Sequence, residues 1–234
     1  MTSQQLTLSL RYPPDQRLET FLAAPPAALA QLRALAVGAH ADWLYVAGAA
    51  GTGKTHLTLA VCAAAEQAGR RAMYLPLAAA RGRVRDALEG LEQHDVIALD
   101  GVDAIAGNRD DEIALFDFHN RARAAGATLL YTAKAMPEML GLVLPDLRSR
   151  LGQCGRISLY TLDEIDRVAV LKARAERRGM VLDGPALEWL LARCGRDMGS
   201  LVSVLDRLDR ESLAAKRRLT VPFLRSVLGE GDSP

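Results

Sequence analysis

The sequence predicts an α/β fold with a mainly parallel sheet, followed by an all-helical subdomain. Two observations support this prediction. Short apolar segments alternate with helical stretches up to residue 162, and only helical patterns follow it. Strands that alternate with helices in this way form parallel sheets that helices cover on both faces. The 234 residues suffice for one large domain or two small ones with a substantial core.

Five strands are expected in the first part of the chain, each of them short and rich in apolar residues. Their sequences are DWLYVAG (42–48), RAMYLPL (71–77), DVIALDG (95–101), ATLLYTAK (127–134) and RISLYTL (156–162). Helices are expected between them at 54–68, 78–92 and 110–125.

Helices are expected throughout the segment that follows the last strand. Thr161 and Glu164 form a capping-box pattern for the first of them. Asp183 and Asp197 can cap the next two, and a short last helix follows LTVP (219–222). The expected organisation is a flexible tail (1–17), an α/β part (18–162), a helical part (163–229) and a disordered end (230–234).

The composition is that of a soluble globular protein, with 50% hydrophobic and 24% charged residues. A net charge of +1 favours neither nucleic acid nor an acidic partner. Cys62, Cys154 and Cys194 are isolated, which favours a reducing, cytoplasmic compartment. Because no apolar run approaches about 20 residues, we expect no membrane span. The N-terminus lacks the pattern of a secretory signal.

A glycine-rich segment joins the first strand to the first long helix. Gly48, Gly53, Lys54 and Thr55 satisfy the pattern GxxxxGK[ST], and Gly51 adds flexibility within it. Such glycines let backbone N–H groups surround a phosphate, the lysine reaches the β- and γ-phosphates, and the hydroxyl binds Mg²⁺. The alternative is an accidental glycine-rich turn. We expect ADP or ATP with Mg²⁺ as the ligand.

The third strand ends on an acidic residue. Asp100 follows four apolar residues, which is typical of the carboxylate that anchors Mg²⁺ in nucleotide sites. The alternative is an aspartate that only caps a turn. An ATP-hydrolysing enzyme would carry a second acid next, and this position is Gly101. Asp103 is the nearest substitute, and we expect the turn after the strand to aim it elsewhere.

Several segments resemble the DnaA-like AAA+ family, and within it the shorter Hda-type proteins, the regulatory inactivators of DnaA. The similar segments are GTGKTHL (51–57), LPDLRSRL (144–151), LRSRLGQCGRISLYTLDEIDRVAVL (147–171) and RRLTVPFLRSVL (217–228). The resemblance covers nearly the whole chain. It implies a P-loop AAA+ module with a mainly parallel sheet, followed by an all-helical lid.

The resemblance also implies roles for single residues. It identifies Arg150 as an arginine finger that faces ATP in a neighbouring subunit, with Arg148 as the second candidate. The alternative is an arginine in a surface salt bridge. Thr132 occupies the place of the polar residue that senses the γ-phosphate. The place of the arginine that senses nucleotide from the lid falls on Gly199, with Arg196 one turn earlier.

The N-terminal tail contains QLTLSL, in which Leu6, Leu8 and Leu10 alternate after Gln5. In an extended peptide, alternate side chains share one side, so the leucines form one apolar edge. The segment is similar to the peptides with which bacterial replication proteins bind the sliding clamp. The alternative is an edge strand added to the protein's own sheet.

Taken together, the resemblance implies a bacterial regulator of replication initiation that is tethered to the sliding clamp and stimulates hydrolysis of ATP bound to DnaA. Its own ATPase activity would be weak at best. The expected partners are DnaA and the β sliding clamp, a homodimer remains open, and the expected location is the cytoplasm, on the nucleoid through the clamp. The chain ends at Pro234, without the helix-turn-helix domain of DnaA, so no sequence-specific DNA binding is expected. The alternatives are a self-hydrolysing helicase loader and a scaffold stabilised by nucleotide.

Overall fold

The computed structural model describes residues 17–21, 25–39, 42–193, 198–215 and 219–229. Its five strands form one parallel sheet in the order β2-β3-β4-β1-β5. The strands are β1 (Leu44–Gly48), β2 (Ala72–Pro76), β3 (Val96–Asp100), β4 (Thr128–Ala133) and β5 (Gly155–Leu159). The predicted α/β fold with a parallel sheet is therefore confirmed.

Helices lie on both faces of the sheet and make up the part after it. They are α1 (Pro26–Val37), α2 (Lys54–Gln67), α3 (Leu77–Ala80), α4 (Val84–Ala87), α5 (Arg109–Ala124), α6 (Pro145–Gly152), α7 (Glu164–Arg177), α8 (Gly184–Arg193), α9 (Met198–Ala215) and α10 (Val221–Leu228). No helix in the described ranges is long and apolar enough to cross a membrane.

The sheet separates two apolar clusters, and β1 contributes to both of them. Tyr45 packs with residues of α5 and α6 on one face, whereas Leu44 and Val46 pack with residues of α1 and α2 on the other. Alternate residues of a strand point to opposite faces, so a central parallel strand is apolar throughout. This packing fixes the edge of the sheet at which β1, β3 and β4 end.

The helices α7 to α10 enclose a third cluster of their own, which includes Leu171, Leu190, Leu205 and Leu224. An all-helical part therefore follows the sheet, as the sequence predicted. Its first helix begins differently from the prediction. The N-cap of α7 is Asp163, whose carboxylate accepts a hydrogen bond from the Asp166 N–H at 2.8 Å, so the predicted cap at Thr161 is wrong.

The single helix predicted over 78–92 is also wrong. Two short helices, α3 and α4, occupy this stretch, and a 3-10 turn, Leu91–Gln93, ends it. Gly82 has a φ of +79° and Gly90 a φ of +74°. These left-handed conformations cannot continue a right-handed helix, and glycine adopts them at little cost.

Candidate functional site

The carboxyl ends of β1, β3 and β4 bring the predicted nucleotide-binding residues to one edge of the sheet. Lys54 and Thr55 begin α2 directly after the loop that follows β1, β3 ends on Asp100, and Thr132 lies near the end of β4. Ligands of open α/β sheets bind at this edge, outside the carboxyl ends of the strands. Residues from separate sequence motifs therefore lie side by side in the fold.

The phosphate loop, residues 48–55, has the geometry that its glycines predict. Gly51 and Gly53 have φ angles of +78° and +92°, and α2 begins directly after them. A Cβ on Gly48 would lie 2.6 Å from Thr52 Oγ1 and 2.9 Å from the Leu159 carbonyl oxygen, so only glycine fits there. Unpaired N–H groups at the start of a helix, together with the helix dipole, favour a bound phosphate.

Lys54 lies inside the phosphate loop. Its Nζ donates hydrogen bonds to the carbonyl oxygens of Gly48 at 2.6 Å and Ala49 at 2.7 Å. Burial lowers the pKa of Lys54, the charges of Asp103 and Asp100 oppose this effect, and Lys134 adds to it. The ammonium group of Lys54 is thus held in the phosphate loop, where the phosphate oxygens of a bound nucleotide would replace the two carbonyl oxygens as its acceptors.

The Asp100 carboxylate accepts hydrogen bonds from three hydroxyl groups. The Thr55 and Tyr74 hydroxyls donate to Oδ2 at 2.7 and 3.0 Å. The Thr132 hydroxyl makes a short hydrogen bond to Oδ1 and itself accepts from the Gly101 N–H at 3.0 Å. Tyr74 was not predicted from the sequence, because a tyrosine in a strand is explained by β-propensity alone.

Thr55 and Asp100 together fit a Mg²⁺ ion that a nucleotide brings with it. Their adjacent oxygens are hard ligands, and Mg²⁺ in nucleotide sites is held by one or two such side chains together with phosphate oxygens. Within the part of the chain that the structure describes, no cluster of three or more His, Cys, Asp or Glu residues could hold a metal ion. The residues thus fit a metal held jointly with phosphate. When bound, Mg²⁺ would offset the negative charge of the phosphates.

Asp103 pairs with Lys134, and its charge also acts on Lys54. Its Oδ1 accepts a hydrogen bond from the Lys134 N–H at 2.9 Å, and its Oδ2 lies 3.1 Å from Lys134 Nζ. Gly101 has a φ of +84°, which turns the chain out of the direction of β3. Both carboxylate oxygens of Asp103 therefore have partners on Lys134.

Three residues that the sequence did not point to connect the phosphate loop with the lid. A Cβ on Gly53 would lie 2.5 Å from Phe21 Cε2, so the Phe21 ring covers the loop directly. The rings of Phe21 and His56 are 5.2 Å apart. Arg174, on α7, donates a hydrogen bond to His56 Nδ1 at 2.9 Å. No spacing pattern announces this cluster, since its members come from three distant segments.

Arg150 lies on α6, half-exposed, and Arg148 on the same helix is exposed. Neither guanidinium forms an ion pair within the described residues. The charge of Arg150 helps to lower the pKa of His119, whereas the charges that act on the pKa of Lys54 are those of Asp103, Asp100 and Lys134. Arg150 thus acts on His119 of α5, and it is not among the charges that shift the pKa of Lys54.

Several predicted residues lie outside the part of the chain that the structure describes. They are Gln5, Leu6, Leu8 and Leu10 of the tail, Arg196, and the predicted helix cap Asp197. Gly199 lies in α9.

Two family models match the chain. The model of the ATPase family associated with various cellular activities (AAA) matches residues 44–137, and the model of the Hda lid domain matches residues 163–228. The first covers the phosphate loop and Asp100, and the second covers α7 to α10.

Solved structures of similar fold include those of the replication initiation protein DnaA and of the RuvB Holliday junction branch migration motor. Domain III of DnaA from Thermotoga maritima has a TM-score of 0.74 and 20% identity, over 95% of this chain and 99% of that chain. AMPPCP-bound DnaA from Aquifex aeolicus has a TM-score of 0.67 and 20% identity, over 88% of this chain and 70% of that chain. The RuvB branch migration motor of Thermotoga maritima has a TM-score of 0.63 and 18% identity, over 93% of this chain and 72% of that chain. These likenesses concern the fold. The chain thus has an AAA module over residues 44–137 and a lid that matches the Hda lid model over residues 163–228, and its fold is similar to that of domain III of DnaA.

Proposed function

We propose that this protein is a negative regulator of replication initiation, which is held on the sliding clamp and stimulates hydrolysis of the ATP bound to DnaA. It holds ADP or ATP with Mg²⁺ in its own phosphate loop, mainly as a structural ligand. The catalytic contribution to DnaA is Arg150, inserted as an arginine finger. The observation that carries the proposal is that Arg150 is half-exposed with no ion pair among the described residues, while Asp103, the nearest substitute for a second acid, is paired with Lys134.

The chain's own site supports nucleotide binding better than hydrolysis. Gly101 stands where a second acid would follow Asp100, and Asp103 is paired with Lys134. While Asp103 remains paired with Lys134, an attacking water would lose the factor of about 10² to 10⁴ that general base catalysis provides. Lys54, Thr55 and Asp100 nevertheless retain the groups that bind phosphate and Mg²⁺.

Arg150 supports an action on a neighbouring subunit. Its guanidinium is half-exposed and makes no ion pair among the described residues, so it is available to a partner's phosphate. Its planar, permanently charged group suits the negative charge of a phosphoryl group in transfer. Arginine fingers raise the rate of nucleotide hydrolysis by about 10³- to 10⁵-fold.

ATP turnover by DnaA, measured in the presence of DNA-loaded clamp, tests the proposal. The wild-type protein should accelerate turnover, and Arg150→Ala should abolish most of the acceleration. Arg148→Ala is the matched control, since it removes an exposed arginine from the same helix. Equal stimulation by the wild-type and Arg150→Ala proteins would reject the finger, and a loss with Arg148→Ala alone would transfer the role to Arg148.

The tail proposal has a separate test. Deletion of residues 5–10 should abolish retention of the protein by the clamp in gel filtration. Stimulation of DnaA should then require much higher protein concentration, while the maximal rate with excess protein stays close to that of the full chain. Unchanged retention after the deletion would show that the clamp is bound elsewhere or not at all.

A self-hydrolysing AAA+ ATPase of the helicase-loader type is the second candidate. The complete phosphate loop and the Thr55–Asp100 pair favour it, because both are also needed for hydrolysis. Rapid ATP turnover by the purified protein without DnaA, abolished by Lys54→Ala, would support this function over the first. Turnover that appears only with DnaA and is abolished by Arg150→Ala supports the regulator.

A further inference from the structure

The Glu112 carboxylate is fully buried, and its hydrogen-bond donors are all backbone N–H groups. Oε1 accepts hydrogen bonds from Gly107 at 2.8 Å and Val143 at 3.1 Å, and Oε2 accepts from Leu144 at 2.7 Å. No cation pairs with Glu112 within the described ranges. A buried carboxylate is costly unless its oxygens are hydrogen-bonded, so these three bonds offset part of the cost of burying Glu112.

The position of Glu112 in the first turn of α5 also stabilises its charge. Asn108 caps this helix, accepting hydrogen bonds from the N–H groups of Asp110 at 3.2 Å and Asp111 at 3.3 Å. The positive end of the helix dipole favours an ionised carboxylate there. The first turn of α5 thus holds a carboxylate that accepts hydrogen bonds from the loop before α6.

That loop leads directly into the helix of Arg150. Leu144 is the N-cap of α6, and its N–H is one of the groups that Glu112 binds. On the inner side of the helix, Leu147 and Leu151 are fully buried in the cluster shared with α5. At the other end, the Arg156 guanidinium donates to the Gly152 carbonyl oxygen at 3.2 Å.

The two leucines alone do not fix the helix along its axis, because apolar contacts have no direction. The hydrogen bonds from Val143 and Leu144 to Glu112 do, since they tie two consecutive backbone groups to one buried carboxylate. We infer that Glu112 is the positioning residue for Arg150, and that it holds α6 in the register in which the guanidinium reaches the partner's ATP. This inference rests on the proposed function.

Glu112→Gln tests the inference with almost no change of shape. A glutamine offers one acceptor oxygen, and its NH₂ group must face at least one of the three N–H donors. We expect the maximal rate of ATP hydrolysis by DnaA to fall by about tenfold to a hundredfold, because a displacement of about 1 Å in a positioned group costs that much. The concentration for half-maximal stimulation and the binding of ADP should stay within about twofold of wild type.

Asp111→Asn is a matched control on the same helix turn. Asp111 is 3% exposed, and its carboxylate accepts from the N–H groups of Gly82 at 2.7 Å and Val84 at 3.3 Å. The substitution breaks the same kind of buried bond, but in a loop that does not lead to Arg150. It should lower the melting temperature as Glu112→Gln does and leave the maximal rate within about twofold.

Hydrogen exchange provides the second readout and covers a Glu112→Gln protein that does not fold. Glu112→Asp keeps the charge and retracts it by one methylene group. In either variant, the Val143 and Leu144 amides should exchange at least about tenfold faster, together with the loss of rate, because a broken anchor exposes them to local opening. Faster amide exchange with a wild-type maximal rate of ATP hydrolysis overturns the inference, and so does unchanged exchange.

The failure of the inference can be distinguished from the failure of the proposed function. If Arg150→Ala leaves the stimulation of DnaA intact, the proposed function is wrong. If Arg150→Ala abolishes stimulation and the Glu112 variants leave it intact, only the positioning role of Glu112 is wrong.

Discussion

The Tyr74 hydroxyl donates a hydrogen bond to Asp100 Oδ2 across two neighbouring strands, over 3.0 Å. Tyr74 pairs in register with Ala98, so its side chain reaches the residue two positions further along β3. Burial, followed by the charge of Asp100, raises the pKa of Tyr74, which keeps the phenol protonated as a donor. Tyr74 thus orients the carboxylate that would face Mg²⁺, and does so from outside the metal's own ligand sphere.

Tyr74→Phe should weaken Mg²⁺-dependent nucleotide binding by about tenfold, since partners that orient a metal ligand contribute factors of about 10 to 100. Titration of the protein with a fluorescent ADP, with and without Mg²⁺, measures this effect. Binding without Mg²⁺ should change little, because Tyr74 contacts the carboxylate and not the phosphate loop. An equal loss under both conditions would mean that the substitution disturbs the loop itself.

Gly48→Ala should destabilise the protein and abolish nucleotide binding. The new Cβ would lie 2.6 Å from Thr52 Oγ1 and 2.9 Å from the Leu159 backbone oxygen, and a backbone atom of β5 cannot move aside easily. Overpacking of this kind costs about 1–3 kcal/mol. Gly101→Ala is the comparison, because its φ is +84° but no atom lies within 4 Å of the new Cβ. Gly48→Ala should have a lower melting temperature in thermal melts and a lower affinity in ADP titrations than Gly101→Ala.

The sequence predicted the parts of the site that belong to one local motif. Lys54 and Thr55 follow from the glycine spacing, and Asp100 follows from the apolar run before it. Tyr74 could not be predicted, because its contact depends on which strand lies beside β3 and in which register. Glu112 could not be predicted either, since its acceptor role depends on a loop some 30 residues away in the sequence.

The ends of elements were predicted less well than their existence. The last strand was expected at 156–162, but β5 ends at Leu159, and Tyr160 after it is 79% exposed. β-propensity extends through RISLYTL, whereas the pairing partner β1 ends at Gly48, which is in register with Leu159. A strand ends where its neighbour ends, and this information is not local.

The hydrogen bond between Arg174 and His56 should couple the lid to the phosphate loop. Arginine can only donate, so His56 Nδ1 is the acceptor and the ring is neutral. Arg174→Ala and His56→Ala should show a coupling free energy of about 1–3 kcal/mol in a double-mutant cycle of unfolding, as expected for a buried hydrogen bond to a charged group. Arg177→Ala, on the exposed side of the same helix, should lie within about 0.5 kcal/mol of wild type. Additive effects of the two substitutions would show that the contact carries no coupling.

His119 should make the protein less stable in mild acid. Its ring is buried, lies edge-on to Trp43 at 4.5 Å between centroids, and has its Nδ1 3.0 Å from the Tyr131 hydroxyl. Burial, together with smaller contributions from the charges of Arg123 and Arg150, lowers the pKa of His119 from 6.5 to about 4. The folded protein therefore keeps this histidine neutral in a pH range in which the unfolded chain protonates it.

Between pH 6.5 and about 4 the unfolded state binds the additional proton, so the free energy of unfolding falls as the pH falls. Above pH 6.5 both states are neutral and this contribution is fully present. Across the window, the wild type should lose about 3 kcal/mol relative to His119→Phe, since each pKa unit is worth about 1.4 kcal/mol. Urea unfolding at several pH values measures the difference, with His94→Gln as a control that should follow the wild-type curve.

Parallel curves of unfolding free energy against pH for wild type and His119→Phe would mean that His119 does not resist protonation. An NMR titration of Arg150→Ala adds a direct check, because removal of the Arg150 charge should raise the pKa of His119.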